Sequence, residues 1–119
     1  MSDLLAGAGT MVALTTVGSA EAAQKLADAL VTERLVACCN VMKVDSTYVW
    51  KEALCREPEW MIVMKTRREV LEALTARLRQ LHPYDCPELI ALPIESGYAG
   101  YLAWLRGAIT HDFGEAHGA

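Results

Sequence analysis

Residues 82–88, HPYDCPE, concentrate more reactive side chains than any other stretch of the chain. They set an imidazole (His82), a phenol (Tyr84), a thiol (Cys86) and two carboxylates (Asp85 and Glu88) in a turn braced by Pro83 and Pro87. Imidazole and thiolate suit copper or zinc, so the turn is a candidate for divalent-metal or small-ligand binding. The same residues also fit a rigid connection, with the prolines fixing the path and His82 satisfying a helix end. Lys65 and Glu59 border an apolar stretch and fit a surface pair. Lys65 with Arg67 and Arg68 makes a small basic patch at a helix start. Trp50, Trp60 and Trp104 fit core or interface positions. No phosphate loop, dinucleotide glycine signature, zincin helix or nucleophile elbow is present, so the chain is not expected to be an enzyme.

The elements around this turn follow from periodicity. Thr10–Val17 (TMVALTTV) is short, β-branched and apolar, a buried strand. Ser19 can cap a helix that runs from Ala20 to about Leu35. Ala23, Leu26, Ala27, Leu30 and Val31 share its apolar face. Residues 36–44 form a second strand that continues into 46–51, with Asp45-Ser46 marking a bend or bulge. A polar connection at 51–57 leads to a third strand at 59–65. Thr66-Arg67-Arg68-Glu69 matches a capping box, with Thr66 as the cap of the next helix. Leu71, Leu74, Leu78 and Leu81 form the stripe of that helix, and His82-Pro83 ends it. Residues 88–94 make a fourth strand, with Pro93 marking an edge or an end. Residues 97–100 read as a loop. A short last helix from Tyr101 to Ile109 carries Leu102, Leu105 and Ile109 on one face.

The order is β-α-β-β-α-β plus a C-terminal helix. This is an α+β, ferredoxin-like arrangement with two helices on one face of a four-stranded antiparallel sheet. Yet the strands are apolar at nearly every position, as in residues 60–64, WMIVM. An antiparallel sheet with one wet face should alternate. The second face is therefore expected to be covered by other subunits.

At 119 residues the chain is one domain, able to bury about two-thirds of its surface without disulfide staples. Residues 1–9 and about 107–119 are expected to be loosely held. Lys+Arg 11 against Asp+Glu 15 leaves a formal charge of −4, which argues against nucleic acid as a partner. The apolar runs are too short to span a membrane, and residues 1–9 lack a basic flank, so no signal peptide is expected. Cys38, Cys39, Cys55 and Cys86 match neither a CxxC pair nor a zinc ribbon; reduced thiols in the cytoplasm are expected.

Several runs together resemble the CutA divalent-cation-tolerance family. They are Leu35-Val36-Ala37-Cys38-Cys39-Asn40, Tyr48-Val49-Trp50, Met64-Lys65-Thr66-Arg67, His82-Pro83-Tyr84 with Pro87-Glu88-Leu89-Ile90, and Tyr101-Leu102-Ala103-Trp104-Leu105. The resemblance implies a tight homotrimer with strands extended across subunit boundaries and a role in copper or other divalent-ion tolerance. It also leaves open a PII-like trimeric sensor with a small ligand at the subunit interface, or a scaffold for a partner protein. Lys65, Tyr84, Glu88 and Trp50 are the ligand-contact candidates it implies. A copper site described in a bacterial member uses a cysteine in the first strand and two successive histidines. Those positions hold Thr15, Leu81 and His82 here, so weak metal binding is expected from His82 with Cys86 or Glu59.

Overall fold

Ser19 starts the first helix as its side chain predicts, its Oγ accepting from the Ala22 N–H at 3.0 Å. A computed structural model describes residues 3–109. In chain order the elements are β1 (Leu4–Ala6), β2 (Thr10–Val17), α1 (Ala20–Thr32), β3 (Cys38–Trp50), β4 (Ala53–Arg67), α2 (Leu71–Leu81), β5 (Ile90–Pro93), β6 (Ser96–Tyr98) and α3 (Ala99–Ala108). The main sheet has the order β3-β4-β2-β5, with antiparallel neighbours throughout. Because β4 inserts between β2 and β3, the unit is the split βαβ expected from the sequence.

Strand alternation sends Ile62, Met64, Ala13 and Val17 toward the helices, where all are fully buried. They meet Leu26 and Leu30 of α1, Leu74 and Leu78 of α2, and Leu105 of α3 with the adjoining Ile109 in one core. Val31, placed on the core face by its spacing, is instead 39% exposed. No helix among the described residues is long and apolar enough to cross a membrane.

The opposite face of the sheet is different. Register pairs put Val12, Leu14, Met61, Val63, Ile90 and Leu92 together on it. Ile90 and Leu92 are about half exposed, at 47% and 50%, with no helix among the described residues over them. α3 reaches the edge of this face, where its Tyr101 meets Cys38.

β3 and β4 continue beyond the sheet as a two-stranded arm. The segment 51–57, expected to be a connection, is mostly strand: Trp50 pairs with Ala53, leaving a two-residue turn. Pairing also runs unbroken through Asp45-Ser46, so no bulge forms there. Pro58 is tolerated because β2 ends opposite Trp60, leaving β4 with one neighbour beyond it. Lys51 and Glu52 occupy the turn at φ 51° and 67°. Such hairpin turns favour glycine or asparagine, and an L-residue in this region costs about 1–2 kcal/mol. Glu52→Gly should therefore stabilise the protein by about 1 kcal/mol, read as a higher thermal midpoint at fixed protein concentration.

Thr66 does not cap a helix. It lies in β4, and its buried Oγ1 donates to the Leu35 carbonyl at 2.8 Å. A 3₁₀ turn, Arg68–Val70, intervenes before α2, and neither has a side-chain cap. Glu69, assigned by its spacing to the capping box, accepts from Arg67 Nη2 at 3.1 Å instead. Its own backbone N–H, with Arg67, holds its carboxyl below the usual range. Ladder pairing of Thr66 with Met11 outweighs the local cap signal. Thr66→Val should cost about 1–3 kcal/mol in chemical denaturation by orphaning a buried carbonyl. Thr66→Ser should retain most of the stability; Thr66→Asp, which would serve an exposed cap, should not.

β1 and β6 were not legible as strands. They pair with each other, Leu4 opposite Tyr98 and Ala6 opposite Ser96, so residues 4–6 are held rather than loose. Arg106 Nη2 donates to the Gly7 carbonyl at 2.9 Å, and Gly7 lies so close to the Ile94 carbonyl that no Cβ would fit. α3 starts at Ala99, inside the expected loop, and runs to Ala108, with Ile109 buried after it. The remainder of the expected loose tail, 110–119, lies outside the described residues.

Candidate functional site

α2 stops at Leu81 because His82, ahead of Pro83, takes an extended conformation at φ −75° and ψ 134°. This turns the imidazole inward, where it is 6% exposed. Nε2 lies 2.8 Å from the Thr16 carbonyl oxygen, and Nδ1 accepts from the Tyr84 N–H at 3.1 Å. The carbonyl can only accept, so the pair fixes the tautomer with the proton on Nε2. Both ring nitrogens are committed to backbone partners, and a metal ion would have to displace one of them.

Tyr84 follows, its ring centroid 4.8 Å from that of His82. Its hydroxyl donates to Glu59 Oε2 at 2.8 Å. Burial and the Glu59 carboxylate push the phenol up to about 12, so it serves as a donor at neutral pH. A second pair lies beside it on the arm: Tyr48 donates to Glu57 Oε1 at 2.7 Å, and that bond raises Tyr48 to about 12 as well. Glu57 and Glu59 share one strand face by their spacing of two. The Tyr48–Glu57 pair was missed because residue 57 was assigned to the connection; extending the strand by two positions would have shown it.

The other candidates are scattered. Cys86 and Glu88 are exposed in the turn, and Trp50 is 63% exposed at the tip of the arm. Lys65 is not paired with Glu59; its Nζ donates to Asn40 Oδ1 at 2.7 Å and lies 3.9 Å from Cys38 Sγ. Asn40, Cys38 and Tyr101 around it carried no sequence signal of their own as a group. Among the described residues, no three His, Cys, Asp or Glu side chains converge to hold a metal ion.

The copper ligand set implied by the bacterial relative does not fit either. Thr15 stands where that set has a thiol, and it is fully buried facing the helices. Its Oγ1 has no hydrogen-bond partner among the described residues. A hydroxyl is a poor substitute for a thiolate toward copper, and His82 is already committed. Thr15→Val, which removes the orphan hydroxyl, should raise stability by about 1 kcal/mol in urea denaturation.

Known proteins share this arrangement. The family model described as "CutA1 divalent ion tolerance protein" matches residues 11–108. The "Divalent-cation tolerance protein CutA" of Thermus thermophilus is 43% identical over 96 residues, 80% of this chain and 93% of that protein. The chloroplastic "Protein CutA 1" of Oryza sativa is 38% identical over 100 residues, 83% of this chain. The match takes in 56% of the rice protein, so the chain spans about half the length of that curated relative. The solved structure of CutA from Synechococcus elongatus superposes with a TM-score of 0.88 at 37% identity, covering 92% of this chain and 97% of that one. With the match running from β2 through α3, the chain belongs to the CutA1 divalent ion tolerance family.

Proposed function

We propose that this chain acts in tolerance to divalent cations as a homotrimer, and that metal ions are held weakly at sites completed between subunits. The observation that carries the assembly is the apolar sheet face, formed by Val12, Leu14, Met61, Val63, Ile90 and Leu92, which no helix among the described residues covers. The arm adds to it, with Val49 and Trp50 exposed at 67% and 63%. Burying such surface is worth roughly 25 cal/mol per Å², and a second copy of the same chain offers a matching one. The cation role rests on family membership and on the names of the relatives.

Cys86 and Glu59 are the metal-contacting groups in this reading; His82 holds the turn that carries Cys86, and Tyr84 of that turn bonds to Glu59 on β4. Weak affinity follows from a small donor set. The family match favours this function over a PII-like sensor. The cytoplasm is the compartment this reading expects, supported by four cysteines that form no disulfide.

Native mass spectrometry should give a species of about three times 13.0 kDa. Calorimetric titration of that species with copper and with zinc should show binding weaker than micromolar. A monomer that binds one metal tightly per chain would overturn the reading.

A further inference from the structure

Cys38 opens β3 at the end of the apolar face away from the hairpin tip. Three side chains from three elements surround its sulfur or support those that do. Lys65 of β4 sits opposite in register, with Nζ 3.9 Å from Sγ. Asn40 of β3 steadies that ammonium by accepting from it at 2.7 Å. Tyr101 of α3 places its hydroxyl 3.8 Å from Sγ. Burial and the neighbouring thiol push the Tyr101 phenol up, so it keeps its proton and can donate.

Charge balance singles this cluster out. Among the described residues the ion pairs are Arg67–Glu69 and Arg77–Glu33. Lys65 thus brings an ammonium with no carboxylate partner to within reach of a half-buried thiol. The other cysteines lack this setting. Burial, reinforced by Cys38, pushes Cys39 up to about 12, and its side chain points to the other face. Cys55 donates to the Ala53 carbonyl at 3.7 Å. Cys86 is exposed beside Asp85.

We propose that Cys38 is a modification site that exchanges with small anionic disulfides, Lys65 drawing the carboxylate of the reagent to the sulfur. The Cys38 thiolate attacks one sulfur of the reagent, and a mixed disulfide forms as the S–S bond of the reagent breaks. The leaving half departs as a thiolate and takes up the proton that Cys38 gave to solvent. One thiol and one disulfide enter, one thiol and one disulfide leave, and no external oxidant is needed. The Tyr101 hydroxyl donates to the Cys38 thiolate before attack, and the charge then passes to the leaving sulfur. This site is independent of the cation reading above.

The assembled protein is treated with dithiodiglycolate, a dianionic disulfide, and in parallel with cystamine, a dicationic one. Adducts are quantified by mass spectrometry on the peptide spanning residues 35–43 and on the Cys86 peptide. The ratio of anionic to cationic adduct at Cys38 should fall about two- to five-fold in Lys65→Met, the factor an exposed ion pair supplies. It should be retained in Lys65→Arg and stay unchanged at Cys86. Cys38→Ser should abolish adducts on the 35–43 peptide, and unreacted Cys39 reports that each variant is folded. An unchanged ratio in Lys65→Met, or a Cys38 that reacts only after denaturation, overturns the proposal.

Discussion

Val63→Asp should abolish assembly. Val63 sits at the middle of the uncovered face, opposite Leu14 on one side and Asn40 on the other. In a single chain an aspartate there costs little, because the position is only half-buried. Against the apolar face of another subunit its carboxylate would be desolvated without a partner. That penalty is several kcal/mol per ion, and a trimer would incur it three times. Light scattering should therefore show the mass falling from about three times 13.0 kDa to that of one chain. Val31→Asp, an equal charge change on the outer side of α1, should leave the mass unaltered. A Val63→Asp protein that stays trimeric would place the subunit contact elsewhere.

The second large effect is expected at His82. His82→Ala removes the hydrogen bond to the Thr16 carbonyl and the acceptor for the Tyr84 N–H. Each buried backbone group left without a partner costs about 1–3 kcal/mol, so the variant should lose roughly 2–5 kcal/mol in urea denaturation. Copper titration separates this role from ligation. An imidazole that acts on the site only by holding the turn predicts a loss of the weak affinity well under about tenfold in the variant. A drop of tenfold or more in the variant would show that His82 releases a backbone partner to bind the ion.

The buried elements were legible because each carries its own pattern. Thr10–Val17 matches its strand end for end; Leu74, Leu78 and Leu105 join the core their spacing predicts, and Leu102 is buried. Failures came where the deciding partner is remote. Thr66 has a local capping signature, but its partner is Leu35, 31 positions away in the connection between α1 and β3. Leu4–Ala6 has no alternation; its order comes from Ser96–Tyr98 and Arg106. The arm was truncated because Lys51-Glu52 lacks the glycine or asparagine that marks a two-residue turn.

The site shows the same division. The HPYDCPE turn stands out by composition, and His82 ahead of Pro83 ends α2 as expected. What each side chain touches was not readable, since the His82 partner is Thr16 and the Tyr84 partner is Glu59. The Cys38–Lys65 contact required knowing the β3–β4 register, which a two-residue turn sets and the sequence had placed in a longer connection.

The position of β2 also bears on how the chain is made. It is the first strand of the main sheet to leave the ribosome, yet its hydrogen-bonding neighbours are β4 and β5. Until residue 67 is synthesised one edge of β2 cannot be completed, and until residue 93 the other cannot. The β3–β4 hairpin, closed by a two-residue turn, needs no such wait and can zip in microseconds. The nascent chain thus carries TMVALTTV, a β-branched segment, with two open edges until residue 67 and one until residue 93. Closing β2 against partners this distant in sequence raises the contact order, and topologies of that kind fold slowly for their size.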